Sequence, residues 1–96
     1  MKGKEPPCPI SEVARLLSDT WTMLIMHHLN EGPKRFCDLE RALDGISTRT
    51  LTLKLNRLTD EDLIFRDDDC LYTATERGSG LKLIEKAMVR YQKEYL

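Results

Sequence analysis

Ninety-six residues support one hydrophobic core and leave no room for a second, so the chain reads as a single domain spanning 1–96. It is 41% hydrophobic and 32% charged with a net charge of −1, so any contact with a polyanion must rest on local charge. Residues 1–9 hold three prolines and no apolar run, and the longest aliphatic stretch, 23–26, is far too short to span a bilayer. The expectation from these features is no secretory leader, anchor or membrane partner, and a cytoplasmic protein. The cysteines, Cys8, Cys37 and Cys70, are odd in number and widely spaced, which argues for reduced thiols rather than a disulfide scaffold or a CxxC zinc site.

In chain order, Pro9 precedes a first helix with Ser11 as a candidate N-cap and Ile10, Val13, Leu16 and Leu17 at helical spacing. A second helix follows, capped by Asp19, with Trp21, Leu24, Ile25 and Leu29 as its apolar stripe and Gly32-Pro33 as its terminator. Lys34-Arg35-Phe36 reads as a short extended piece. Cys37 then stands in an N-cap position with Glu40 three residues on, as in a capping box, and the third helix runs to about Leu43. Asp44-Gly45 forms a turn, Ser47 caps a fourth helix, and Leu51, Leu55 and Leu58 form its buried face. Residues 63–66 and 70–73 have strand character around the polar turn Asp67-Asp68-Asp69 and predict a hairpin. From Thr75 a long helix is expected to the C-terminus, with Leu81, Ile84, Met88, Tyr91 and Tyr95 spaced as the narrow seam of a helix–helix contact.

The fourth helix carries the most informative chemistry. From Ile46 to Leu58 it holds Arg49, Lys54 and Arg57 and no acidic residue, whereas acids crowd the segments that follow. Thr48, Arg49, Thr52, Asn56 and Arg57 spread over the face opposite the leucines, with Leu53 also pointing outward. Arginine can fork onto guanine and asparagine onto adenine, while threonine reaches phosphate or a thymine methyl. By itself such a face is an ordinary solvated helix surface. The constellation of two helices joined by a tight turn, a following hairpin and a closing helix makes it a candidate DNA reader, a mainly α winged helix-turn-helix. Its parts are the helix-turn-helix at about 37–59, the wing at about 63–73 and a C-terminal dimerisation helix at about 75–95.

These residues resemble the HxlR-type winged-helix regulators of bacteria and archaea. The resemblance runs from Cys8 to about Leu81 and rests on Cys8-Pro9-Ile10, Trp21-Thr22-Met23-Leu24-Ile25, Gly32-Pro33-Lys34-Arg35-Phe36, Asp38-Leu39, Ala42-Leu43, Gly45-Ile46-Ser47, Leu51-Thr52 and Leu55 to Leu58. It implies operator binding without catalysis or cofactor, by a homodimer built from N- and C-terminal helices on an inverted repeat of double-stranded DNA. It assigns the DNA-facing role to Ser47, Arg49, Thr52 and Lys54. The sequence departs from the family at three places: Asp62 stands where glycine usually follows the fourth helix, the short wing ends in three aspartates, and Cys37 replaces a better cap. Asp62 predicts a different helix end, and the acidic tip leaves Arg66 as the candidate wing contact with phosphate.

Thiol sensing is the remaining expectation. The resemblance points to Cys8, the counterpart of the family's N-terminal cysteine. Local chemistry points instead to Cys37, beside Lys34 and Arg35 at an expected helix start that would favour its thiolate. His27 and His28, adjacent on a helix, diverge by about 100° and cannot readily chelate together, and no metal site is expected. The competing reading is a winged-helix module that binds another regulator through its acidic wing and helical seam rather than DNA.

Overall fold

In residues 8–96, which the computed structural model describes, the order is α1 (Pro9–Leu16), α2 (Thr20–Leu29), α3 (Phe36–Ala42), α4 (Thr48–Asp60), β1 (Ile64–Arg66), β2 (Tyr72–Ala74), α5 (Glu76–Ser79) and α6 (Lys82–Tyr95). The segment read as neither leader nor anchor lies outside the described residues up to Pro7. Ile25, Met26 and Leu29 of α2 meet Leu39 and Leu43 at the end of α3, Leu51, Leu55 and Leu58 of α4, and Leu63, Ile64 and Leu81 in one core. Among the described residues no helix is long and apolar enough to cross a membrane.

Local chemistry sets most element starts. The Asp19 carboxylate accepts the Thr22 N–H at 2.9 Å, the Ser47 hydroxyl accepts that of Thr50 at 3.0 Å and the Thr75 hydroxyl that of Gly78 at 3.0 Å. Each satisfies one of the N–H groups that a helix start leaves without a partner. Gly45, at φ 91°, supplies the left-handed backbone between α3 and α4 that a side chain would resist.

Several expected details differ. Cys8, not Ser11, precedes α1, because Pro9 at the first helical position is pre-set for helix and has no N–H to satisfy. Cys37 lies inside α3, not at its cap: Arg35 takes that place, its N–H donating to the Asp38 carboxylate at 3.2 Å. A carboxylate one turn in is a far better acceptor than a thiol, and Glu40 is thereby released for another contact. In α2 the buried set is Thr22, Ile25, Met26 and Leu29, while Leu24 faces outward. The predicted closing helix is broken into α5 and α6. Gly78 presses against the hairpin so closely that a Cβ there would stand 2.0 Å from the Leu63 carbonyl oxygen and 2.9 Å from Met26, and the chain turns again at Gly80-Leu81.

The end of α4 conforms to the family pattern despite its aspartate. Asp62 adopts φ 62°, its N–H donates to Thr59 O at 3.0 Å and the Leu63 N–H to Leu58 O at 3.0 Å, with Leu58 and Leu63 both buried. This is the double hydrogen-bonded helix stop that normally carries glycine, closed by an apolar contact. Packing of Leu63 into the core forces the left-handed turn, and aspartate tolerates it better than most residues.

β1 and β2 pair antiparallel with Ile64 opposite Ala74, Phe65 opposite Thr73 and Arg66 opposite Tyr72, while Lys34 and Tyr72 exchange hydrogen bonds of 3.0 and 2.7 Å as an isolated bridge. At the tip, Asp67 Oδ1 accepts the N–H groups of Asp69 at 2.9 Å and Leu71 at 3.0 Å. One of the three aspartates is thus consumed in holding the turn, which leaves Asp68 and Asp69 exposed. Cys70, expected to pack in a strand, is exposed in this turn at φ 64°.

Candidate nucleic-acid interface

The polar residues of α4 separate into two groups by what they touch. Arg49 and Asn56 are exposed, and among the described residues their side chains have no hydrogen-bond partner. Thr52 lies beside them with its hydroxyl bonded back to the Thr48 carbonyl at 2.9 Å, and Leu53 is 56% exposed. Arg49, Thr52, Leu53 and Asn56 therefore form one outward strip, held rigid from beneath by Leu51, Leu55 and Leu58. Its chemistry combines a forked cation, an amide and an apolar group, with Ser47 at the helix start where the dipole favours phosphate.

The second group is engaged within the chain. The Thr48 hydroxyl donates to Glu40 of α3, so it ties together the two helices of the helix-turn-helix. Lys54 pairs with Asp19 at the start of α2. Arg57 donates to the Ser18 hydroxyl at 2.9 Å and the Arg15 carbonyl at 3.0 Å. Partial burial pushes the Asp19 carboxyl up, but hydrogen bonds from Lys54 and the Thr22 N–H, with the Lys54 charge, outweigh it and hold the carboxyl below its ordinary range. Sequence reading placed Lys54 and Arg57 on the DNA-facing surface; the structure places them on the flank turned toward α1 and α2. Their partners lie 35 to 42 residues away, which no local signal reports. Arg66 is exposed on β1 with its guanidinium 5.8 Å from the centre of the Tyr72 ring.

The expected seam on the last helix is also divided. Leu81 is buried and Ile84 half-buried against the protein's own core, whereas Met88, Tyr91 and Tyr95 are exposed, the two tyrosine rings 5.0 Å apart. Ile10 and Val13 of α1 and Leu24 of α2 are exposed as well. A cleft of about 440 Å³ lined by Ile10, Val13, Leu17 and Ile84 lies between α1 and α6, and one of about 190 Å³ lined by Met23, Leu24 and Met88 lies between α2 and α6. The His27 ring and the Glu85 carboxylate, 2.8 Å apart, stand at the second cleft and link α2 to α6.

All three cysteines are free and exposed. The Ser11 N–H, the Ser11 hydroxyl and the Ile10 N–H hold the Cys8 thiol below its ordinary range, with burial opposing them. Since no cap hydrogen bond of full geometry forms there, these donors act as nearby dipoles at the start of α1. Cys37 lies exposed in the first turn of α3 rather than at its cap, which Arg35 occupies.

A helix-turn-helix followed by a two-stranded hairpin and framed by further helices defines a winged helix-turn-helix transcriptional regulator. The chain belongs to the HxlR-like helix-turn-helix family, which it matches over residues 16–96. It is 35% identical over 95 residues to the uncharacterized HTH-type transcriptional regulator sll1512 of Synechocystis, covering 93% of this chain and 70% of that protein. It is similar to the HTH-type transcriptional regulator YodB of Bacillus subtilis, at 30% identity over 92% of this chain and 85% of the relative. The quinone-bound crystal structure of YodB superposes with a TM-score of 0.85, covering 93% of this chain and all of that one. The reduced form of the redox regulator HypR gives a TM-score of 0.81 at 25% identity, covering 90% and 91% of the two chains.

Proposed function

We propose that the protein is a homodimeric regulator that reads an inverted-repeat operator in double-stranded DNA with the outer strip of α4 and acts in the cytoplasm. The observation that carries this reading is the exposure of Arg49, Thr52, Leu53 and Asn56 together on a helix whose opposite face is wholly buried. Arg49 and Asn56 are the base readers; Ser47 presents the helix start, Thr48 ties α4 to α3, and Thr52 bonds back along its own helix beside the readers. Arg66, close to the acidic tip, is a backbone contact at most, since Asp68 and Asp69 would be repelled by phosphates. The uncovered apolar residues of α1 and α6 supply the dimer surface, with Met88, Tyr91 and Tyr95 at its core.

Arg49→Ala tests the reading. It should weaken operator binding by about 1–3 kcal/mol and relax preference at one position per half-site, measured by mobility shift across a base-substitution series. Equal binding by the variant would remove α4 as the reader. A chain that binds no duplex even at low salt would favour the protein-interaction alternative.

Thiol response is assigned to Cys8. Its exposure and lowered pKa support this, as do the quinone-bound and redox-regulator relatives. Iodoacetamide should label Cys8 faster than Cys37, followed by mass spectrometry, and operator affinity should fall with modification. Equal rates with unchanged affinity would end the assignment.

A further inference from the structure

Two cations of α4 grip the corner between α1 and α2 from both sides. Arg57 holds the Arg15 carbonyl, in the last turn of α1, together with the Ser18 hydroxyl just beyond it. Carbonyls there have no partner within their own helix, and a cation meets the negative end of the helix dipole. Lys54, one turn earlier on α4, holds the carboxylate of Asp19, the residue that caps α2. The end of one helix and the start of the next are therefore fastened to the same flank of the reading helix.

That fastening matters because α1 has little else to hold it. It buries no residue; Leu16 at its end and Leu17 beyond pack only partly against the core. Its outer side shows Ile10, 78% exposed, and Val13, 39% exposed, and Cys8 lies at its start. A displacement of α1 would reach the domain through Leu16, Leu17 and the contacts to Arg57 and Asp19.

We infer that Lys54 and Arg57 are positioning residues, which staple the reading helix to the α1–α2 corner so that the seating of α1 against a second copy sets the angle of α4 on DNA. The inference rests on the proposed reading of DNA through α4 and assigns its control. Base preference within a half-site belongs to the outer strip, whereas the spacing between half-sites belongs to the staple. A phosphate-binding cation behaves differently: its loss lowers affinity for every sequence and spacing alike and reduces the salt slope by about 1.

The test uses the full chain and an operator selected from random duplexes, then re-spaced by one and two base pairs between half-sites. Ser18→Ala and Asp19→Asn remove acceptors of the staple while leaving every charge on α4 in place; the asparagine amide retains an oxygen for the Thr22 N–H. Both variants should bind the preferred spacing about two- to thirtyfold more weakly and discriminate less between spacings. Arg57→Gln should do the same with an unchanged salt slope, and circular dichroism should show all three folded. An Asp19→Asn variant that binds more tightly with the same spacing preference overturns the inference, because removing an acid near DNA strengthens binding by charge alone. An Arg57→Gln variant with a salt slope reduced by about 1 overturns it too. A wild-type chain that binds no duplex overturns the DNA reading itself, and the inference with it; wild-type binding with variants that keep its affinity and spacing preference overturns the inference alone.

Discussion

Helices α4 and α6 are close in length, 13 and 14 residues, and both are strongly amphipathic, yet they meet opposite fates. α4 buries Leu51, Leu55 and Leu58 beneath α2 and β1. α6 buries nothing, and its apolar row fades from half-buried Ile84 to exposed Met88, Tyr91 and Tyr95. Periodicity declares that a helix has an apolar face; it does not say which element covers that face. The leucines of α4 are spent on stability, and the far end of α6 stays uncovered by its own chain.

The contrast is broken most strongly by truncating the two faces in parallel. Leu55→Ala should destabilise the domain by about 2–5 kcal/mol through lost burial and a residual cavity, while Met88→Ala should change the stability of the isolated protomer by no more than about 0.5 kcal/mol. Urea unfolding at low protein concentration measures both. A large effect of Met88→Ala there would assign it to the core of its own chain.

Met88→Glu sharpens the other side of the comparison. It should leave the fold intact and shift the species seen by equilibrium sedimentation from dimer to monomer, because a carboxylate in an apolar seam goes unpaired. An unchanged mass would remove this seam from the interface.

Two smaller effects concern the C-terminal stop of α4 and its flank toward α2. Asp62→Gly should stabilise the protein by about 0.4–1 kcal/mol in thermal unfolding, since glycine adopts the left-handed stop without a Cβ penalty. At the other flank, the lowered Asp19 carboxyl contributes stability that is fully present above its unfolded value and is lost as pH falls through its folded value. Asp19→Asn should therefore flatten the acid limb of a stability–pH curve below about pH 4, where an unfolded aspartate titrates. An identical acid limb would show that the pair with Lys54 adds nothing to the fold.

What the sequence determined by itself was whatever acts within a turn or two of chain. Asp19 and Ser47 declared helix starts because a short acceptor next to free N–H groups works locally. Leu51, Leu55 and Leu58 declared a buried face by spacing alone, and the aspartate-rich turn between strand-forming residues declared the hairpin. Together with the resemblance carried by residues such as Trp21-Thr22 and Gly45-Ile46-Ser47, this was enough for the fold and for the outward strip of Arg49, Thr52, Leu53 and Asn56. Tertiary structure decided the competitions between distant partners. Arg35, its N–H held by Asp38, took the cap position from Cys37, Leu24 yielded its buried place to Met26, and Gly78 packed on Leu63 and ended the expected long helix early. Lys54 and Arg57, indistinguishable by charge from a DNA contact, turned toward Asp19, Ser18 and Arg15. A cation's sequence neighbours reveal that it is charged, but its partner is chosen by how whole helices pack.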